Sequence, residues 1–457
     1  MTNSDLATEP HADWTPTARI GFRFLFAYIV LFYLTFSAFF APFALPVALM
    51  SQAVWGVIVP WVATAILSVP PPPMVTDGDG LAQWIQMSGC GLLAVLATLI
   101  WSYLDRRRTE YRKLHQWLRV LGRYALGVAM ITYGVAKIIH LQMLPPHLAK
   151  LVQPLGESSP TSLLWVFMGS SAAYSAFTGV VEFLGGVLLF NRRTTTLGAL
   201  ISTGAMVHVL SLNLAYDVSV KIWSMNLTVL ALVLIAPDLR RLVDVLVRNR
   251  PSTPVTFPRL FGTEMRDRRM FRFGMVLLAL TLAFRAFGFL NGRGSAYART
   301  PTPVWGIHEV QSFMAKGEAR PPLLTDTDRW RTVVIERSGL ASIRSMDGSV
   351  VDYFTSVDTA ASTVTFMPNP EPSITTAGAT RWAYDPGLIK RVFEDAVEDG
   401  ALGAVMLDYS LSNAGELSLS GLWAGDSIAV AMARVDESDF LLLTRGFHWV
   451  QDYPFFR

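Results

Sequence analysis

The sequence is poor in cysteine and in charge. Cys90 is the single cysteine among 457 residues, which excludes an intramolecular disulfide framework and a thiolate metal cluster. Only 16% of the residues are charged, whereas an ordinary soluble domain has about 25%. No basic run is interleaved with aromatic residues and no nucleic-acid motif is present, so nucleic acid is excluded as a partner.

The scarcity of charge is confined to the first part of the chain. Residues 1–291 contain several apolar runs of about 20 residues, which is enough to cross a bilayer core of ~30 Å. Residues 292–457 have the composition of a soluble domain. The formal charge is about +10 in the first part and about −7 in the second, which together give the net +3 of the chain. This split indicates two compartments.

Seven transmembrane helices are predicted, at about 20–41, 82–104, 122–140, 163–190, 196–215, 218–236 and 272–290. The N-terminus lacks the basic start, short apolar core and cleavage site of a signal peptide, so we expect the first helix to remain as an anchor. Arginine and lysine concentrate in alternate loops. By the positive-inside rule the N-terminus is cytoplasmic and residues 292–457 are extracytoplasmic, in a plasma (inner) membrane of the bacterial type.

An eighth apolar segment, residues 44–67, does not fit this alternation. A crossing there would put the Arg106–Arg108 cluster outside, and Pro46 and Pro60 interrupt a helix. We expect an interfacial or re-entrant helical hairpin. The predicted division is a cytoplasmic tail (1–19), two transmembrane helices with an apolar outer loop (20–119), a four-helix membrane bundle (120–245), a cytoplasmic loop with the seventh helix (246–291), and the outer domain (292–457).

The outer domain has the pattern of a small antiparallel barrel or sandwich. Short alternating runs separated by turn residues such as Asp347-Gly348 are typical of strands. The runs are 331–337, 349–354, 362–367, 404–410, 416–422, 427–434 and 440–444, with one helix at about 386–399. The aromatic ending, 445–450, either completes the core as a last strand or forms a ligand-gripping rim.

Polar residues inside the apolar segments are the candidates for function. An ionisable group at the centre of a membrane helix costs about 3 kcal/mol or more, so it commonly faces a pocket. A rise of ~1.5 Å per residue puts Lys137, His208, Lys221 and Tyr174 at one level in the outer half of the membrane. The predicted ligand-binding set is Tyr133, Lys137, His140, Tyr174, His208, Asn213, Asp217 and Lys221.

Glu182 lies deeper by the same count, where Arg123 or Asn226 is its expected contact. A catalytic set would consist of Glu182, Lys137 and His208, with Glu182 as a proton relay. Asp217 and Lys221 are spaced i, i+4 and are expected to pair. The alternative is structural: the lysines would extend to the interface, and Glu182 would fix helix packing.

Residues of about 120–240 resemble the DoxX family of four-helix membrane proteins. The resemblance rests on Gly134-x-x-Lys137 in the first helix and on Gly179-x-x-Glu182-x-x-Gly185-Gly186 in the second, followed by the Arg192-Arg193-Thr194-Thr195 turn. It implies a DoxX-like four-helix bundle in which Lys137 and Glu182 are functional positions. It also implies a relation to membrane redox complexes, since the family includes a subunit similar to those of thiosulfate:quinone oxidoreductase.

Three functions from different classes fit these observations. The first is a membrane assembly or envelope component, whose outer domain binds an envelope or redox protein partner. The second is an accessory subunit of a quinone-linked oxidoreductase. The sequence carries no flavin, haem, iron–sulfur or dinucleotide motif and no predicted metal site, so no cofactor is evident. A quinone is the cofactor that this second function would use. The third is binding or transport of an anionic or lipidic solute.

Overall fold

The computed structural model describes residues 14–37, 45–74, 78–252, 263–297, 300–368, 403–412 and 415–451, with only the helical backbone given for 289–297. The chain forms two compact units. A helical unit comprises residues 1–135 and 177–286, and a second unit comprises residues 136–176 and 287–457. The predicted helix at 386–399 lies outside the described residues.

Eleven helices precede the strands in the described part of the chain. They are α1 (Pro16–Thr35), α2 (Leu45–Trp61, continued by a π-helix Val62–Ile66), α3 (Leu81–Leu104), α4 (Arg112–Ile138), α5 (Leu148–Leu151), α6 (Pro160–Ser170), α7 (Ala172–Phe190), α8 (Thr195–Ala215), α9 (Lys221–Ile235), α10 (Leu239–Leu246) and α11 (Glu264–Tyr297). Short 3₁₀ turns occur at Leu155–Glu157 and Ala236–Asp238.

Seven helices in the described ranges are long and apolar enough to cross a membrane: α1, α2 with its π-helical end, α3, α7, α8, α9 continued through α10, and Glu264–Gly288 of α11. The prediction of a polytopic helical membrane protein with about seven such helices is confirmed. α4 is also long, at 27 residues, but its first half carries four basic side chains.

α1 and α3 are antiparallel, which decides the path of the segment between them. The N–H of Trp14 donates to the carbonyl of Thr109 (3.2 Å), whereas Thr35 and Cys90 are in contact through Oγ1 and Sγ (3.3 Å). The end of α1 and the start of α3 therefore lie on one side. α2 connects them and makes no net crossing, although it is long enough for one. The predicted hairpin at 44–67 is wrong, because these residues form one continuous helix.

The predicted span 163–190 is broken into α6 and α7. Ser171 has an extended backbone (φ −120°, ψ 95°), and its Oγ accepts from the N–H of Tyr174 (3.3 Å), as an N-cap does. Close backbone packing also constrains the end of α6: a Cβ on Gly169 would lie 1.9 Å from the carbonyl oxygen of Leu144. Tyr174 lies on α7, so the count of its depth from the end of α7 at Phe190 does not cross the break.

Two buried networks connect helix ends in the helical unit. Arg23 on α1 is buried and donates to Tyr111 Oη (2.9 Å), Ser102 Oγ (2.8 Å) and the carbonyl of Asp105 (3.0 Å). Asp238, also buried, accepts from Arg119 of α4 (3.2 Å), Arg241 of α10 (3.0 Å) and Thr196 of α8 (2.9 Å). Neutral acceptors bind the Arg23 guanidinium, whereas Asp238 has two charged partners, and in both networks the hydrogen bonds offset the cost of several kcal/mol for removing a charge from water.

α4 and α7 pack with their backbones in close contact. A Cβ on Gly134 would lie 2.7 Å from both the carbonyl oxygen of Gly179 and the backbone nitrogen of Phe183. Small residues permit such approaches between membrane helices, where dispersion contacts replace the hydrophobic effect as the source of stability. The prediction that the glycines allow close packing is confirmed for this helix pair.

The second unit contains a closed barrel of eight antiparallel strands. The nine strands are β1 (Gly306–Ala315), β2 (Glu318–Ala319), β3 (Trp330–Ile335), β4 (Leu340–Ser345), β5 (Val350–Asp358), β6 (Thr363–Pro368), β7 (Val405–Leu411), β8 (Leu417–Trp423) and β9 (Asp426–Val435). Each long strand pairs with the next, and β9 returns to β1 from Ile307↔Val435 to Ala315↔Ile428. The two-residue β2 pairs only with β1. Closure leaves no free sheet edge among the eight long strands.

Side chains fill the barrel. Trp423 lies at the centre of an aromatic group, with ring centroids 4.7 Å from Trp330, 5.5 Å from Tyr353 and 5.7 Å from Phe366. The interior of an eight-stranded barrel is just wide enough to be filled by side chains. The barrel prediction is confirmed, but the last predicted strand is wrong. Residues 441–444 form a helical turn, α12 (Leu441–Thr444), and the aromatic residues after it lie outside the core.

A segment between α4 and α6, residues 148–157, packs on the barrel; we call it the docking segment. Leu148 is buried against Ile307 and Val334. The N–H of Ala149 donates to Glu336 Oε1 (3.1 Å), and burial raises the pKa of Glu336. Arg344 forms a bidentate pair with Glu157, at 2.7 and 3.1 Å. The docking segment and the barrel are therefore on the same side of the membrane.

We expect Gly134→Ala to lower the free energy of unfolding by about 1–3 kcal/mol, because the new methyl group would meet backbone atoms that cannot turn aside. Thermal unfolding in detergent would measure the change. Gly204→Ala on α8 is the matched control, since nothing lies within 4 Å of its Cβ position. Equal melting of both variants would contradict the close contact.

The Glu157–Arg344 pair predicts a pH dependence of docking. Arg344 holds the pKa of Glu157 below its usual range, mainly by donating a hydrogen bond. A lowered folded-state pKa gives stability that is present above the unfolded value of about 4.3 and is lost as the pH falls through the folded value. Wild type should therefore melt above Glu157→Gln at pH 7, and the difference should vanish in acid.

The exchanged pair, Glu157→Arg with Arg344→Glu, should recover part of the stability that either single reversal removes. A constant difference between wild type and Glu157→Gln across the acid range would show that the carboxylate contributes nothing through this pair.

Candidate functional site: polar residues and an apolar cavity among the helices

The predicted ligand residues are distributed over both units. Lys137, His140 and Tyr174 belong to the second unit. The others belong to the helical unit: Tyr133, Glu182, His208, Asn213, Asp217 and Lys221. The two groups are therefore described separately.

In the second unit, Lys137 and His140 lie at the C-terminal end of α4, which ends at Ile138. Lys137 is 5% exposed, and its carbonyl accepts from Ser175 Oγ (3.3 Å). His140 has a left-handed backbone (φ 55°), and its Nε2–H donates to the carbonyl of Ala172 (2.9 Å). Both contacts join the end of α4 to the start of α7. Tyr174, by contrast, is exposed at 38%.

In the helical unit, Glu182 is the most deeply buried member of the predicted set, at 2% exposure. The hydrogen bonds described for its two expected partners go elsewhere. Arg123 Nε donates to the carbonyl of Leu189 (2.8 Å), and Asn226 accepts from Tyr28 (2.8 Å) and donates to the carbonyl of Ile222 (2.8 Å). His208 is exposed on α8.

The loop between α8 and α9 holds a compact polar group. Lys221 Nζ donates to Asp217 Oδ1 (2.8 Å), which confirms the predicted pair and lowers the pKa of Asp217. Asn213 donates to Ser224 Oγ (3.0 Å). Asp79, from the loop before α3, accepts from the backbone N–H groups of Lys221 and Ile222 at the start of α9. Burial raises the pKa of Asp79.

Asp79 was missed by the sequence analysis. It caps a helix that is remote in sequence, and no local pattern such as a capping box indicates a cap supplied from 142 residues away.

A cavity of about 730 Å³ lies in the helical unit and is mostly apolar. This volume is within the range of about 300–1,000 Å³ that is usual for small-molecule sites. Side chains of α1, α4 and α11 form most of its wall, with single contributions from α2, α7 and α9. Ile29, Val120, Leu121, Leu277 and Leu278 are representative of the lining.

The polar lining groups lie towards the two ends of this cavity. Arg123, Arg192 and Asp267 line one end, where Arg192 Nη1 is 3.9 Å from Asp267 Oδ2. Thr281 lies 14 residues after Asp267 on α11, a rise of about 21 Å, and Ser37 also lines the cavity. Ser37 is 4% exposed, and its Oγ has no hydrogen-bond partner among the described residues. The cavity thus combines a long apolar wall with a cationic end.

The electrostatics of the cationic end favour an acidic group. Arg123 and Arg192 carry two positive charges against the one negative charge of Asp267. Arg123 is 8% exposed, and with Nε bonded to Leu189 its guanidinium retains further N–H donors for an oxygen ligand. An elongated apolar molecule with one acidic end group matches this arrangement.

No family model matches the sequence, and no solved structure matches it. Among curated proteins the chain is similar to the uncharacterised protein YwoB of Bacillus subtilis (strain 168), with 29% identity over 132 residues. The similarity covers 27% of this chain and 78% of YwoB. The resemblance to the DoxX family therefore stays a prediction.

Asp79→Ala is expected to lower the free energy of unfolding by about 0.5–2 kcal/mol, since two N–H groups at the start of α9 lose their acceptor. Detergent unfolding of this variant beside Asp217→Ala would test the difference, because the side chain of Asp217 is exposed and pairs with the side chain of Lys221. A loss for Asp217→Ala as large as that for Asp79→Ala would contradict the capping role.

Proposed function

We propose that the protein is a membrane-embedded component of the envelope that binds an anionic lipid in the cavity of its helical unit. The observation that carries the proposal is the combination of a long apolar wall with Arg123 and Arg192 at one end. A hydrocarbon chain would lie along α4 and α11, and its acidic head would meet the arginines. Arginine suits this role because its planar donors match the oxygens of carboxylate and phosphate.

The cavity wall is long enough for a single lipid chain. The lining residues of α11 extend over about 21 Å, which exceeds the roughly 15 Å of hydrocarbon in one leaflet and leaves length for part of the head group. Such a chain would fill space that otherwise lacks packing partners, and an unfilled cavity of this size would reduce stability. The proposal thus develops the lipidic-solute function of the sequence analysis, with a site different from the one predicted there.

The barrel is proposed to serve as the extracytoplasmic binding module, with the N-terminus in the cytoplasm. The distribution of arginine and lysine among the loops supports this orientation. The contact between the docking segment and the barrel supports a common side for both. If α1, α3, α4, α6–α7, α8, α9 and α11 each cross once, the N-terminus and the barrel lie on opposite sides.

A quinone-linked role remains the second candidate. An isoprenoid quinone also has a long apolar tail, and its carbonyl oxygen would accept from arginine. The excess positive charge at the cationic end favours an acidic head group over a neutral carbonyl, so the anionic lipid is the proposed ligand.

The test is mass spectrometry of lipids retained by protein purified in native membrane particles. Leu277→Trp would fill the cavity, and Leu280→Trp is its control because Leu280 lies on the same helix, is 51% exposed and does not line the cavity. We expect one anionic lipid to be enriched in wild type and in Leu280→Trp and to be lost in Leu277→Trp.

Arg192→Gln tests the head group, with the exposed Arg193→Gln as its control. Loss of one charge-assisted hydrogen bond costs about 1.5–3 kcal/mol, so lipid retention should fall about tenfold or more in Arg192→Gln alone.

Lys137→Ala and Glu182→Gln test the site predicted from the sequence. The same unselective lipid in all variants would refute the proposal. A quinone lost only in Leu277→Trp would replace the anionic lipid with the second candidate.

A further inference from the structure

The chain after the barrel exposes a concentrated set of large apolar side chains. We call residues 441–450 the C-terminal apolar segment. Its exposed members are Leu441 (41%), Leu442 (49%), Leu443 (43%), Phe447 (76%), Trp449 (91%) and Val450 (81%). The rings of Phe447 and Trp449 contact each other edge to face, with centroids 4.9 Å apart. Soluble proteins rarely leave such a group in water unless it meets a partner or a membrane.

The start of this segment is held at the docking segment. Phe440, the residue before α12, packs against the small core of Leu148, Ile307 and Val334, as do Leu151 and Val152 of the docking segment. The chain thus leaves the barrel at the place where the barrel meets the connection between α4 and α6.

That connection is short and has a predicted membrane helix at each end. Nine residues lie between Ile138, the end of α4, and Leu148, and seven lie between Val152 and Pro160, the start of α6. A chain this short keeps the docking segment close to the bilayer surface. Phe440 thus packs where the barrel contacts the docking segment, and residues 441–450 continue from it.

The composition of the segment also suits the lipid–water interface. Tryptophan is enriched at the level of the lipid headgroups, and leucine and phenylalanine enter the adjoining acyl region. Arg445 and His448 lie among the apolar residues, and a cationic side chain there would meet lipid phosphates.

We propose that the C-terminal apolar segment inserts into the interface of the bilayer and holds the barrel against the membrane surface. The partner is a lipid surface that carries phosphate headgroups, and the contact continues the attachment already made by the docking segment. This inference is independent of the lipid proposed for the cavity.

The full-length protein in nanodiscs provides the test. Cys90 is the single cysteine, so Cys90→Ser permits one fluorophore to be placed at Trp449→Cys or, as a second position, Leu443→Cys. Ser420→Cys on β8 is the control, because Ser420 is exposed on the barrel wall. Quenchers attached to the lipid headgroup region and iodide in the aqueous phase report on the two environments.

The labels at 449 and 443 should be quenched by the lipid-attached groups and shielded from iodide, whereas the label at 420 should show the opposite. Quenching of the 449 label by iodide to the same extent as the 420 label would overturn the proposal. The 449 label could also be shielded from both quenchers, but only in discs that hold more than one copy of the protein. That result would overturn the proposal in favour of a contact with a second copy.

Discussion

At Gly134 the backbones of α4 and α7 approach so closely that a methyl group would lie 2.7 Å from the carbonyl oxygen of Gly179. Two further helices of the helical unit pack on α4. α9 packs on α4 through Leu230 and Leu234, near Gly122, while α11 packs on α4 through Leu278, beside Val128 and Phe190. The cavity lies where α11, α4 and α1 do not close completely, and Val128, Phe190 and Leu278 form part of its wall.

The charged side chains of the helical unit differ in how closely they are paired. Arg23 and Asp238 are buried at helix ends with several hydrogen-bond partners each, and they join elements far apart in sequence. The arginines at the cavity are less completely matched, since Arg192 has Asp267 only at 3.9 Å. A structural ion pair is commonly closer and supported by further hydrogen bonds. This difference in pairing is the reason for proposing a ligand at the cavity and none at the two networks.

Much of the architecture could be predicted from the sequence because it depends on local patterns. Apolar length locates the membrane helices, and alternation with turn residues locates most strands of the barrel. β1 was missed because its exposed half carries no clean alternation, and β4 (Leu340–Ser345) was missed because it is short and contains a single β-branched residue and no aromatic one. α12 was taken for a strand because three leucines in succession fit either structure. Ser171 could have indicated the break between α6 and α7, since serine is a common N-cap.

The candidate site could not be predicted to the same degree, because a cavity arises from the packing of helices that are distant in the sequence. Arg192 and Asp267 are 75 positions apart, and nothing in either neighbourhood indicates the other. Counting residues along each helix predicted that Lys137 and Glu182 are removed from water, and both are buried. Such a count cannot show which helix faces meet. For this reason the exposed His208 was predicted to share a site with the buried residues.

The contact between the docking segment and the barrel has a consequence for biosynthesis. Glu157 and Arg344 are separated by 187 residues, so the docking segment is synthesised long before the strands that it meets. The membrane helices from α6 to α11 follow it on the ribosome before the barrel begins. Contacts of such long sequence separation form late in folding. We therefore expect the docking segment to lie at the membrane surface with Leu148 exposed until the barrel has formed. Binding of the barrel to this segment would be the last step of assembly.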